Sequence, residues 1–265
     1  MIQNLSNTTG TGLWCGQVKT YASPRFTVSA WIRRMGTGTT ISMGAGGLAA
    51  VEPIFCGGMG ESETIGLNVA WALAYIPPSG SIGGDFEDMT NGGNHFITAS
   101  VNSILNNTMS HVALTYDYSS SLNTGSWKLY INGALNATAL VTSATATTRT
   151  PDTSSTQGIG IGIGVTSAGA RTGAFYGYIT DVAYWSTILN ATEIYQLYQS
   201  NRKYMPLQIQ PSSLQVYYPL DDLGDNVGRP TSGVSASIIQ DRSGRNRHGT
   251  PYLKVSGSAE NFLSY

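Results

Sequence analysis

Apolar and polar residues alternate with a period of two through most of the hydrophobic stretches of this chain, and few folds can use that pattern. In "FTVSAWIRR", Phe26, Val28, Ala30 and Ile32 fall on one side of an extended strand, and Thr27, Ser29, Trp31 and Arg33 on the other. In "HVALTYDY", Val112, Leu114 and Tyr116 alternate with His111, Ala113, Thr115 and Asp117. "SWKLYINGAL" repeats the rule with Trp127, Leu129 and Ile131 on one side. Its Asn132-Gly133 pair tolerates positive φ at both positions, as a type I′ hairpin turn requires, so a new strand is expected from Ala134. Helical spacing is confined to one segment: Asn190 can cap it, Glu193 stands three residues on as in a capping box, and Ile194, Leu197 and Tyr198 share a face. Many strands and one short helix near 190–199 predict an all-β, antiparallel β-sandwich.

Gly, Pro and Ser cluster in 43–66 and 77–94, which read as loops, and the low-complexity segment 138–157 reads as a long loop or a weak edge hairpin. The run "GIGIGIGV" is unusual, because Ile159, Ile161, Ile163 and Val165 form an apolar face opposite Gly158, Gly160, Gly162 and Gly164. A bare glycine face lets another group come close. That group is either the protein's own chain or a partner, for which these four glycines would be the contact.

Composition narrows the partners. Charged residues are 11% of the chain, against roughly 25% in an average soluble domain, and the net charge is -1. There is no electrostatic footprint for nucleic acid or for an anionic membrane. No apolar run approaches the roughly 18 residues of a membrane-spanning helix. "MIQNLSNTTGTG" has neither a basic nor an apolar region, so no secretion signal is expected there. Cys15 and Cys56 read as two free, buried thiols in preference to a disulfide. With His95, His111 and His248 they offer no zinc-ligand spacing.

In order, "FTVSAWIRR", "SHVALTYD", "GSWKLYINGAL", "QGIGIGIG" and "GAFYGYITDVAYWSTILNATEIYQLY" resemble the laminin-G-like, concanavalin A-like jelly roll over roughly residues 24–200. Members usually carry Trp before the His of "HVA", where this chain has Met109-Ser110-His111, and many have Asp-Gly where it has Asn132-Gly133. The expected organisation is an N-terminal arm at 1–23, the jelly roll at 24–205 and a C-terminal extension at 206–265. In the extension, Leu214, Val216, Tyr218 and Leu220 read as a strand added to the same sandwich, in preference to one reaching into a neighbouring subunit.

The superfamily includes glycosidases, whose retaining members need two carboxyl groups about 5–5.5 Å apart. The candidates are Glu61 and Glu63 in "GESET", and Asp85, Glu87 and Asp88 in "DFED". Both sets lie among Gly, Pro and Ser, so they read as solvated loop acids, and no nucleophile elbow or phosphate loop occurs. No catalytic residue is expected, and the chain reads as a non-enzyme. By resemblance, a structural calcium ion would sit at Asp181 and Asp241. The competing reading has Asp181 bonded to loop amides and Asp241 opening a turn with Ser243 and Gly244. A saccharide platform would use Trp71 and Tyr75 with Asn91 and Asn94, although Trp71, Leu73 and Tyr75 also have the spacing of core residues. The function expected is that of a structural or interaction protein of a virion, a phage capsid-decoration or fibre-associated subunit touching other virion proteins or copies of itself. The alternative is an extracellular, lectin-like carbohydrate-binding module for cell-surface attachment.

Overall fold

A computed structural model describes residues 2–4, 12–17, 23–44, 46–58, 68–89, 93–122, 124–141, 149–165, 171–200, 205–220 and 240–252. In chain order the strands are β1 (Ile2–Asn4), β2 (Gly12–Gln17), β3 (Arg25–Arg34), β4 (Glu52–Gly57), β5 (Trp71–Ile76), β6 (Ser81–Glu87), β7 (Asn94–Thr98) and β8 (Ser110–Ser119). They continue as β9 (Thr124–Ile131), β10 (Ala134–Val141), β11 (Gly158–Ile161), β12 (Gly164–Val165), β13 (Arg171–Thr172) and β14 (Gly177–Trp185). Helix α1 (Ala191–Gln199) precedes β15 (Leu214–Tyr218) and β16 (Thr250–Tyr252).

Two antiparallel sheets result. The first has the order β1-β14-β3-β8-β9-β10, with β15 also on β14; the second runs β13-β12-β11-β4-β5-β6-β7, with β2 joining β11 to β16. β1 and β15 pair with opposite halves of β14, Ile2 facing Ile179 and Tyr218 facing Val182. The N-terminal and C-terminal segments therefore both enter the sandwich, and β2 pairs directly with β16.

Alternation delivers the core as the sequence predicts. Phe26, Val28, Ala30 and Ile32 of β3 are fully buried against Phe55, Trp71 and Leu73 of the opposite sheet. Trp127 lies 5.8 Å from Phe26, 5.3 Å from Phe86 and 4.6 Å from Tyr116, ring centre to ring centre. Each large side chain removed from water contributes roughly 1.5–3 kcal/mol, and aromatic pairs about 1 kcal/mol more. The other face of the first sheet is closed by α1, whose Ile194 and Leu197 cover Ala113, Tyr130 and Ala183. Its capping box forms: the Asn190 side chain accepts from the backbone of Thr192 and Glu193, and Glu193 accepts from the Asn190 amide. Asn132 and Gly133 take φ of 50° and 78°, giving the expected turn. Cys15 and Cys56 are free and buried, and burial pushes both thiols up to about 12.

Two expectations are corrected. Segments 43–66 and 77–94 are not simply loops, because β4 and β6 lie within them. The glycines of β6 reflect close packing: a Cβ on Gly84 would lie 2.4 Å from a Leu114 methyl, and one on Gly83 2.7 Å from a Leu48 methyl. Likewise the glycine face of β11 and β12 is not a contact surface. Gly158, Gly160, Gly162 and Gly164 are all buried. A Cβ on Gly160 would sit 2.1 Å from the Ile163 carbonyl oxygen, so the chain's own backbone fills the gap. Gly160→Ala is accordingly expected to destabilise the fold by about 1–3 kcal/mol, read as a lower denaturation midpoint with an unchanged m-value.

Candidate functional site

At one end of the sandwich β3 begins where β8 finishes, and the register sets Arg25 opposite Asp117. Arg25 Nε donates to Asp117 Oδ1 at 2.7 Å. The two side chains are 52% and 39% exposed, so the pair adds only about 0–1 kcal/mol to stability and can re-form its hydrogen bonds with a ligand at little cost. Tyr118 is half-buried, with its body against the main core. Together with Pro24, Thr150 and the serines at 119–121, these residues line an open groove of about 560 Å³. That volume lies in the range of small-molecule sites. Its chemistry is a guanidinium fork of donors beside a carboxylate acceptor, a phenol ring, and hydroxyls that both donate and accept. Such a lining matches a polyhydroxylated ligand with one flat apolar face.

The sequence reading did not single out this groove. Asp117 and Tyr118 end an alternating strand in "DYSSS", and the run of hydroxyls beyond the last core residue is the signal available. Arg25 is 92 residues away from Asp117, and only the strand register brings it there.

The residues that were singled out lie elsewhere. Trp71 and Tyr75 are 1% and 3% exposed, in the core between the sheets. Trp71 packs 4.6 Å from Phe55 and 5.0 Å from Tyr184, so neither ring of the expected platform can meet a sugar. Asn94 is used internally, donating to Met43 O at 3.0 Å and Asp85 Oδ1 at 3.3 Å. Asn91, Glu61 and Glu63 lie outside the described residues.

Asp85, Glu87 and Asp88 are not solvated loop acids. Asp85 and Glu87 share the outer face of the second sheet on β6, both fully buried, Asp85 beneath Leu48, which packs with Met43 and Val51 onto Ala72 and Ala74. Asp85 accepts from Leu48 N at 2.7 Å, and burial raises its carboxyl to about 7. Glu87 accepts from Val69 N, and Asp88 meets His95 Nε2 at 3.0 Å. These acids fasten loops to the sheet; they do not face each other across a cleft.

Asp181 and Asp241 do not fit a calcium site. Asp181 Oδ1 accepts from Tyr217 OH at 2.7 Å and Oδ2 from Thr180 Oγ1 at 3.1 Å. Asp241 accepts from Tyr217 N, Ser243 N, Ser243 Oγ and Arg247 N. The two carboxylates sit at opposite ends of one tyrosine, and protein donors engage Asp181 Oδ1 and both oxygens of Asp241. Among the described residues no three His, Cys, Asp or Glu side chains gather at one point.

A family model described as the concanavalin A-like lectin/glucanases superfamily matches residues 8–195. No curated protein sequence matches the chain. Among solved structures, the chain is similar to a candidate carbohydrate-binding protein from Bacteroides ovatus, with TM-score 0.50 and 20% identity over 94% of this chain and 56% of that one. It is also similar to the full-length tailspike protein 2 of an Escherichia coli O157:H7 bacteriophage, with TM-score 0.50 and 14% identity over 82% of this chain and 26% of that one. The chain thus spans little more than half of the first and about a quarter of the second, and at these identities the likeness is one of fold.

Proposed function

The chain belongs to the concanavalin A-like lectin/glucanase superfamily, and on that premise we propose that it is a non-catalytic, lectin-like module taking a saccharide in the groove of Arg25, Asp117 and Tyr118. The observation that carries this reading is the groove's lining: a half-buried ring beside an exposed ion pair, with a single carboxylate among the described residues that form it. Glycoside hydrolysis by the usual route needs two carboxyl groups flanking the bond, so this lining favours holding a sugar over cleaving it. A glycan array probed with the full chain, followed by titration calorimetry on the hits, tests the proposal. Tyr118→Ala and Arg25→Ala are each expected to weaken binding about tenfold or more, equivalent to 1.4 kcal/mol. An array without hits, or hits indifferent to both substitutions, would overturn it.

A second reading sets this module on a virion, as a fibre-associated or capsid-decoration subunit. The fold shared with a phage tailspike and the scarcity of charge favour that setting. Mass spectrometry of gradient-purified particles decides it: the chain must co-purify with them, and its recovery only from the soluble fraction removes the reading.

A further inference from the structure

The hydroxyls of Ser119, Ser120, Ser121 and Thr150 can each donate or accept, so they discriminate little between ligands of the groove. Selection falls to its two charged side chains. Arg25 Nε is committed to Asp117 Oδ1 at 2.7 Å. The terminal nitrogens of the same guanidinium meet no acceptor among the described residues, and Asp117 Oδ2 meets no donor. Both groups are fixed from below. The ladder between β3 and β8 sets them opposite each other, and the Arg25 amide donates to Ser23 Oγ at 3.3 Å. Tyr116, one residue before Asp117, is fully buried and donates its hydroxyl to Arg149 O at 2.6 Å, anchoring the segment that carries Thr150.

A ligand therefore meets, side by side, donors that lack an acceptor and an acceptor that lacks a donor. A carboxylate, sulfate or phosphate only accepts. It could bind the guanidinium, but it would leave Asp117 Oδ2 unanswered and bring a like charge beside it. An ammonium only donates, and it fails at Arg25 for the converse reason. Two hydroxyls on adjacent carbons do both: one donates to Asp117 Oδ2 while its neighbour accepts from an Arg25 terminal nitrogen. Both bonds are charge-assisted, roughly twice as strong as neutral ones. A trans-diaxial pair points its oxygens apart and cannot bridge two neighbouring side chains, so the pair must be gauche. Among the described residues no other charged side chain lines the groove, and the two charges present cancel.

Resting on the saccharide reading of this groove, we propose that its ligands are uncharged sugars presenting a gauche vicinal diol, with Arg25 and Asp117 as the specificity-determining residues. An array carrying neutral, carboxylated and sulfated glycans, probed with the full chain, is expected to return neutral hits. Calorimetry then compares methyl glycosides of the neutral hexoses with their single-deoxy derivatives and the matching uronic acids. Removing either hydroxyl of the recognised pair should weaken binding about tenfold or more. Affinity for the neutral glycoside should change less than about twofold between roughly 50 and 500 mM sodium chloride, because the ligand carries no charge to be screened. Arg25→Lys keeps the charge but loses the fork, and should weaken binding about tenfold. Asp117→Asn should weaken the neutral glycoside about tenfold and narrow its advantage over the uronic acid, a change of preference that mere loss of structure would not produce. Hits confined to carboxylated or sulfated glycans and abolished by Tyr118→Ala would overturn this assignment while leaving the saccharide site in place. Neutral hits indifferent to deoxygenation and to Asp117→Asn would also overturn it. An array without hits would remove both readings.

Discussion

Replacing Trp71 with alanine is expected to cost about 3–5 kcal/mol of folding stability. The indole is 1% exposed, packed edge-on to Phe55 at 4.6 Å and beside Tyr184 at 5.0 Å, so it bridges the two sheets. Alanine would leave a cavity whose walls belong to both layers, and rigid strands cannot collapse into it. Chemical denaturation of parent and variant measures the loss. Trp71→Phe should recover most of the stability, because it keeps a ring in the space. Saccharide titration of the folded variant below its midpoint should match the parent, because the groove is built from β3 and β8. A loss under about 1 kcal/mol accompanied by abolished saccharide binding would return this ring to the surface and defeat the packing described here.

The contrast between Trp71 and Tyr118 shows what the sequence could say. Period two placed Trp71, Leu73 and Tyr75 on one face of a strand, and the structure makes that face the core. The same rule recovered β3, β8 and β9, and local chemistry recovered the Asn132-Gly133 turn and the Asn190 cap, because those signals act within a few residues. β6 escaped because its glycines fit beneath Leu48 and beside Leu114, neighbours that local sequence does not reveal. Its acids then read as solvated, although Leu48, Val69 and His95 meet them in a buried setting. The groove was legible only in part: Tyr118 and Asp117 sit in a visible strand end, but their partner Arg25 arrives by register.

Two buried titratable groups, one on each outer face, are expected to give opposite pH dependences. Asp85 sits beneath the 41–51 segment and is raised from 3.8 to about 7 by burial, against the lowering effect of its bonds from Leu48 N and Asn94 and of nearby His95. Between those values the folded chain holds a proton that the unfolded chain has released. This contribution to stability is therefore complete below about pH 3.8 and is lost as pH rises to about 7, on the order of 4 kcal/mol at 1.36 kcal/mol per pK unit. His111 lies under α1, its Nε2 3.0 Å from Ser29 Oγ and its ring 5.4 Å from Trp31. Burial lowers it from 6.5 to about 3, so the unfolded chain takes up a proton first as pH falls. Its contribution is present above about pH 6.5 and is lost toward pH 3, by a similar amount. In the parent the two slopes oppose each other, so substitution is needed to separate them. Urea denaturation between pH 4 and 7 should show Asp85→Asn gaining on the parent as pH rises, while His111→Gln falls behind it over the same window. Because the sites lie on opposite sides of the sandwich, the two effects should add in the double variant. Single-variant curves that run parallel to the parent across the window would mean that these groups are not sealed from water as the packing requires.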